Sequence, residues 1–203
     1  MTTQIPLLTI PDYEARTRQT MPTALFDRLF GTYGGPTMQS NTNNLRAMDA
    51  VKLRPRVLAN VSHRELSTEV LGKKISLPLM LAPTGTHQRA HPEGELASTR
   101  AAGEAGTILS LSTASSYSIE EVAEVATAPL WFQLYFFKDR ELTEILVRRA
   151  QDAGYSALVL TVDNLGARST EREQRYAYTL QAERILKNFV GIELPNLPNR
   201  DNF

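Results

Sequence analysis

From residue 77 onward, short apolar runs rich in strand formers alternate with segments of helical periodicity, a pattern that predicts strand–helix–strand units. The runs occupy 77–82, 107–111, 130–136 and 157–162. Between the first two, Pro92 stands where a first helical turn tolerates proline, and Ala97, Ala101 and Ala105 follow at four-residue spacing before Gly106. Ser118-Ile119-Glu120-Glu121 has the form of a capping box, and Ile119, Val122, Ala123 and Ala126 make one apolar stripe behind it. Asp139 is placed to cap a third helix, whose stripe is Leu142, Ile145, Leu146 and Ala150 and whose stop is Gly154. Such alternation implies crossover connections and a parallel sheet. Each unit takes about 25 to 30 residues, close to the share of one unit in a (β/α)8 barrel of about 250 residues. The expected fold class is α/β, with four of the eight units of such a barrel.

The flanks are less regular. Residues 1–60 read as a helical segment that packs on the main domain, with polar punctuation at Thr32-Tyr33-Gly34-Gly35-Pro36 and between Asn41 and Asn44. Leu25, Phe26, Leu29 and Phe30 recur at helical spacing before Gly31 and predict one amphipathic helix there. Residues 61–179 hold the alternating units, and from 180 to 203 the pattern is lost, as at the start of a long loop.

Composition narrows the function classes. A chain of 203 residues that is 42% hydrophobic and 22% charged has the apolar content for a packed core. It has no cysteine, which removes disulfides, thiolate metal sites and cysteine nucleophiles. Its 22 basic and 22 acidic residues cancel, so no long-range field draws it to nucleic acid or an acidic membrane. The start MTTQIPLLTIPDYEAR lacks a basic stretch followed by an apolar one, and no apolar run spans a bilayer. A cytoplasmic protein is expected, with neither membrane nor nucleic acid as a partner.

Each apolar run gives way at its carboxyl end to hydroxyl or amide groups: Thr84-Gly85-Thr86, Ser112-Thr113, Gln133 with Tyr135, and Thr161 with Asp163. In a parallel α/β fold these ends share one rim, where ligands bind. The plain alternative is that they cap the helices that follow, but four polar ends on one rim favour a site. Neutral hydrogen-bonding groups with one carboxylate suit a polar heterocycle or polyol better than a polyanion, and neither GxxxxGK nor GxGxxG occurs. His87 and His91 are four apart, yet Pro92 keeps their rings off a common helix face, so no metal site is expected. Arg168, after the fourth run, offers a guanidinium for a substrate carboxylate, against the simpler reading of a solvated loop arginine.

Six stretches in order, LRPRVLANVS (53–62), LPLMLAPTG (77–85), HPEGELASTRAAGEAGT (91–107), LSTASSYSIEEVA (111–123), LWFQLYFFKDR (130–140) and ALVLTVD (157–163), resemble the FMN-dependent α-hydroxy acid dehydrogenase/oxidase family. That family includes glycolate oxidase, lactate oxidase and mandelate dehydrogenase. The resemblance implies a TIM (β/α)8 barrel that oxidises a 2-hydroxy acid to the 2-oxo acid with FMN as cofactor, this chain carrying the N-terminal half.

Carried over by position, the resemblance makes Pro83, Thr84 and Gly85 the flavin-contacting turn, with glycine in place of the usual alanine. Ser112, Gln133 and Thr161 match residues that hydrogen-bond the flavin ring, Tyr135 the tyrosine beside the substrate, and Asp163 the carboxylate that orients the catalytic histidine. Arg168 aligns with a substrate-binding arginine once two residues are deleted after TVD. Phe26-Asp27 is followed by Arg28 rather than by the family's substrate tyrosine, which leaves Tyr33 to take that place. Ala114 replaces the tryptophan of glycolate oxidase-like members and leaves room for a bulkier substrate. The family's histidine base and phosphate site belong to the half that follows. A truncated gene or incomplete sequence, a separately encoded C-terminal half as partner, and a decayed pseudoenzyme all stay open, and a half-barrel with open edges is expected to self-associate. The rival reading is a non-catalytic pseudoenzyme or assembly module derived from the family.

Overall fold

In the computed structural model, the described residues are 7–23, 25, 26, 39–163 and 186–192. The chain divides into two units, one of residues 1–59 with 168–183 and one of residues 60–167 with 184–203.

The first unit contains α1 (Ile10–Thr20) and α2 (Gln39–Ala50). Thr9 and Asp12 close a capping box at the start of α1, the Thr9 hydroxyl accepting from Asp12 N and the Asp12 carboxylate accepting from Thr9 N. α2 runs through the Asn41–Asn44 stretch that the sequence marks as punctuation. Asparagine is a weak helix former, but the Leu45-Arg46-Ala47-Met48-Asp49-Ala50 run behind it is a strong one, and helix propagates from such a run. Of the amphipathic helix expected before Gly31, Leu25 and Phe26 are helical and the remainder lies outside the described residues.

The second unit opens with a hairpin that the pattern did not reveal. β1 (Thr68–Val70) pairs antiparallel with β2 (Lys73–Ile75) across Leu71 and Gly72, both at positive φ (47° and 75°). That is the conformation a two-residue hairpin turn demands, and Leu71 does not advertise it. Beyond it come α3 (Gly94–Glu104), β3 (Leu109–Ser112), α4 (Ile119–Glu124), β4 (Leu130–Tyr135), α5 (Arg140–Asp152) and β5 (Ala157–Thr161). The sheet order is β3-β4-β5, all parallel. The first expected strand, 77–82, is reduced to a single parallel bridge between Leu81 and Leu109. Pro78 has no N–H to give a ladder, and Leu79 N turns back to Leu77 O (2.8 Å), so pairing begins only where Leu81 N meets Ile108 O (2.9 Å).

The caps and glycine stops of the helices act as expected, whereas Pro92 lies in the turn before α3, whose N-cap is Glu93. Ser118 Oγ accepts from Glu121 N (3.2 Å) while Glu121 Oε2 accepts from Ser118 N (2.8 Å), and Asp139 Oδ1 accepts from Glu141 N (3.0 Å) and Leu142 N (3.4 Å). Gly106 and Gly154 end α3 and α5 at φ of 64° and 82°. One stripe differs. α3 buries Gly94, Glu95, Thr99 and Ala102, whereas Ala101 and Ala105 are exposed. Glu95 on this buried face binds two loops, as described below, while the Thr99 hydroxyl donates back to Glu95 O within the helix (2.7 Å).

The two faces of the sheet divide the labour. Leu109, Leu111, Phe132 and Leu134 meet Ile119, Val122, Leu142, Leu146 and Ala150 in the core. Ser110, Ser112, Trp131, Gln133, Tyr135, Ala157, Val159 and Thr161 alternate with them on the other face. Residues 186–192 dock against this unit instead of trailing away as the lost pattern suggests. Phe189 is buried edge-on to Phe137 with ring centroids 5.8 Å apart, and Asn188 is fully buried.

Arg149 joins α5 to α4 and to this segment: Nε and Nη2 donate to Glu120 Oε1 and Oε2 (both 2.7 Å), and Nη1 donates to Asn188 O (2.6 Å). The Arg149 hydrogen bonds hold the Glu120 carboxyl at about 2, below its ordinary 4.5. A depressed carboxyl contributes stability that is complete above about pH 4.5 and disappears as the pH falls towards 2. Glu120→Gln is therefore expected to flatten the fall in melting temperature across that interval and to leave the profile above it parallel to the original, as read from thermal melts at stepped pH. The effect is modest because both side chains are partly exposed.

On the helix-bearing face, Leu158 and Leu160 of β5 remain 47% and 52% exposed, and Val162 beyond them is exposed as well. With β5 paired only to β4 among the described residues, an apolar face and a strand edge lie side by side. The chain is expected to self-associate at micromolar concentration, and the pair Leu158→Glu, Leu160→Lys is expected to shift it towards monomer. Light scattering coupled to size exclusion measures this, and an unsubstituted chain that stays monomeric contradicts it.

Candidate active-site rim

The carboxyl ends of β3, β4 and β5 are joined by one buried side chain. Gln133, on β4, points between its neighbours, where Oε1 accepts from Thr113 N (3.2 Å) and from Ser112 Oγ (3.3 Å), while Nε2 donates to Thr161 Oγ1 (2.7 Å) on β5. Thr113 closes the ladder by donating from Oγ1 to Gln133 O (2.5 Å) and accepting from Tyr135 N (3.3 Å). Ser112 Oγ also accepts from Ala114 N (3.1 Å), which shapes the turn after β3. A pleated parallel sheet produces this row because Ser112, Gln133 and Thr161 share the non-core face at the end of their strands.

The turn after the Leu81 bridge lies beside the turn after β3. Thr86 N donates to Ala114 O (3.0 Å), and a Cβ on Gly85 would meet Ala114 O at 3.0 Å and Ala114 Cβ at 3.3 Å. Glycine at 85 and the small Ala114 thus fit one another, and any larger residue at 85 would press on a backbone carbonyl. Pro83 and Thr84 are exposed at the turn and Gly85 is half-buried. The Thr84 hydroxyl contacts His87 Nε2. Tyr135 is half-buried at the register position opposite Thr161, and Asp163 is exposed two residues beyond it. Tyr33 and Arg168 lie outside the described residues.

Of the residues singled out in the sequence, the structure therefore unites Ser112, Gln133 and Thr161 through hydrogen bonds and sets Gly85 against the same β3 turn. Thr113, named in the sequence as part of the polar end of its strand but given no contact there, joins the ladder with its side chain. The two histidines do not converge: His87 Nδ1 contacts Ser98 Oγ (3.1 Å) while His91 Nδ1 accepts from Glu93 N (3.2 Å). Among the described residues no three histidines or carboxylates cluster to hold a metal. No helix among them is long and apolar enough to cross a membrane.

The ladder offers neutral donors and acceptors side by side, and the same face buries Ser110 Oγ and Trp131 Nε1 with no hydrogen-bond partner among the described residues. A flat heterocycle with its own alternating donors and acceptors matches that set. The model of the FMN-dependent dehydrogenase family matches residues 17–196. The chain belongs to this family. FMN is accordingly the cofactor its residues are to be judged against.

Relatives agree. Glycolate oxidase of Spinacia oleracea is 41% identical over 187 residues, which cover 91% of this chain and 50% of the relative. Glycolate oxidase 1 of Zea mays aligns to the same extent at 41%. Among solved structures, a soluble mutant of the membrane-associated (S)-mandelate dehydrogenase from Pseudomonas putida superposes with a TM-score of 0.86 at 37% identity, over 94% of this chain and 54% of that one. A mandelate oxidase complex gives a TM-score of 0.77 at 38% identity, over 82% and 50%. The chain thus spans about half the length of the relatives it matches.

Proposed function

We propose that this chain supplies the flavin-ring side of an FMN-dependent enzyme that oxidises a 2-hydroxy acid to the 2-oxo acid, as the first four units of an eight-stranded barrel. The observation that carries the reading is the ladder from Ser112 through Gln133 to Thr161 in a family member. These three side chains are the groups to hold the polar edge of the ring, and the turn of Pro83, Thr84 and Gly85 presents backbone to its face. FMN, when bound, would supply the acceptor for the hydride equivalent, two electrons and one proton, that leaves the substrate α-carbon. The phosphate is anchored by the other half of the barrel, whether continuous with this chain or separate from it.

The remaining assignments concern the substrate. Tyr135 stands beside it and Asp163 orients the histidine base contributed by the other half, stabilising the imidazolium that forms when the substrate hydroxyl loses its proton. Arg168 and Tyr33 bind its carboxylate. With alanine at 114 and glycine at 85, the wall above the β3 turn is low, which favours a bulky or aryl 2-hydroxy acid over glycolate.

The test mixes this chain with a separately produced C-terminal half of the spinach relative. The mixture is expected to retain FMN through gel filtration and to bleach on anaerobic addition of mandelate, while neither half does so alone. A mixture that forms a complex but stays colourless overturns the proposal.

A further inference from the structure

Glu95 is the most deeply buried charged side chain in the described core, 1% exposed, and the reaction gives it no role. It sits in the first turn of α3 with its carboxylate turned towards the rim instead of solvent. Its Oε1 alone accepts two backbone N–H groups, from His87 (3.0 Å) in the turn after the Leu81 bridge and from Ser116 (2.9 Å) in the turn after β3. The two turns meet twice more, through Thr86 N with Ala114 O (3.0 Å) and Gln88 N with Ser116 Oγ (3.2 Å). One helical turn on from Glu95, Ser98 contacts the His87 ring, whose other nitrogen touches Thr84. Oε2 has no partner among the described residues.

A buried carboxylate with one oxygen unpartnered is a poor way to stabilise a protein, since charge and acceptor are both desolvated. An apolar side chain of similar volume would fill the space at lower cost. What the Glu95 oxygen does that an apolar filler cannot is accept from both turns at one point, so that neither moves without the other. We propose that Glu95 is a positioning residue for the flavin face: it fixes the separation between the turn at Pro83, Thr84 and Gly85 and the turn at Ser112, Thr113 and Ala114. The proposal rests on the FMN reading for its consequence, but the clamp itself is a property of the flavin-free chain.

The experiment follows Glu95→Gln and Glu95→Ala in the full chain. Glu95→Gln keeps the Oε1 acceptor and the shape, and Glu95→Ala removes both bonds. Amide hydrogen exchange resolved at His87 and Ser116 is expected to speed up at both positions together, at least tenfold, in Glu95→Ala and to stay within threefold of the original in Glu95→Gln. FMN retention by the same variants, each mixed with the complementary half, is expected to weaken at least tenfold for alanine and to be rescued by glutamine. Leu146→Ala, which opens the core far from the rim, serves as the control for general destabilisation and is expected to leave FMN affinity within threefold. If Glu95→Ala does not fold, the glutamine variant decides alone, because exchange at both amides as fast as in unfolded chain would show that Oε1 does not hold them. Unchanged exchange in Glu95→Ala overturns the clamp, and fast exchange with unchanged FMN affinity overturns the positioning role. Failure of the unsubstituted mixture to bind FMN instead counts against the FMN reading and leaves the clamp to the exchange result.

Discussion

Asn188→Ala is expected to cost about 3 kcal/mol of unfolding free energy, the largest stability loss available from a single polar residue here. The Asn188 side chain uses its Nδ2 donors and one acceptor position of Oδ1 on the unit that carries the rim. Oδ1 accepts from Ile119 N (2.9 Å), and Nδ2 donates to Thr113 O (3.0 Å), to Ser115 Oγ (3.1 Å) and, at the limit of distance, to Ser112 O (3.5 Å). Truncation leaves a buried N–H and a buried carbonyl without partners and opens a gap beside Phe189. Asn188→Asp is expected to be at least as damaging, because the acceptor for Ile119 survives but a negative charge then faces the Thr113 carbonyl. For a chain of this size the alanine variant should melt about 6 to 12 °C lower. Thermal and urea unfolding followed by circular dichroism measure it, and a loss under about 1 kcal/mol would mean that the 186–192 segment does not hold the β3 turn.

Gln133→Leu is expected to lower FMN affinity about 100-fold in the complemented assembly, the largest functional effect of any single change described. Leucine matches the size of glutamine, so the backbone of β4 has no reason to move. What is lost is the acceptor for Thr113 N and Ser112 Oγ and the donor to Thr161 Oγ1. Three polar groups at the ring edge then turn to other partners, and the 100-fold change corresponds to about 2.7 kcal/mol, within what three lost hydrogen bonds of about 1 kcal/mol each supply. Gln133→Glu separates the parts: the acceptor stays and the donor to Thr161 goes, so its affinity should fall between the two. Equilibrium titration of FMN fluorescence against the mixed halves gives the values, and affinity unchanged by leucine would remove Gln133 from the flavin site.

Much of the second unit was legible because its signals are local. A capping box at Ser118, an aspartate at 139 and glycines at 106 and 154 act on their own neighbours within a turn, so their meaning does not depend on what packs above them. The ladder residues Ser112, Gln133 and Thr161 were legible for a related reason, since polar residues that interrupt apolar strand runs at corresponding ends must gather on one rim once the strands run parallel. The hairpin of Thr68–Val70 with Lys73–Ile75 was hidden by a leucine at positive φ, and the strand at 77–82 was overestimated because Pro78 interrupts pairing without changing its apolar look.

By itself the sequence determined the alternation of strands and helices, the places where helices start and stop, the polar rim and the family resemblance, all of which depend on residue type and spacing along the chain. Only the tertiary structure decided that α3 buries Glu95 and Thr99 beside Ala102 while Ala101 and Ala105 face outward, that Thr113 completes the ladder, and that Asn188 reaches back across 75 residues to the end of β3. Nothing in periodicity distinguishes a buried glutamate from an exposed one. Its burial is acceptable only because two backbone N–H groups from separate turns arrive at the same oxygen, and that coincidence exists only once the chain has folded.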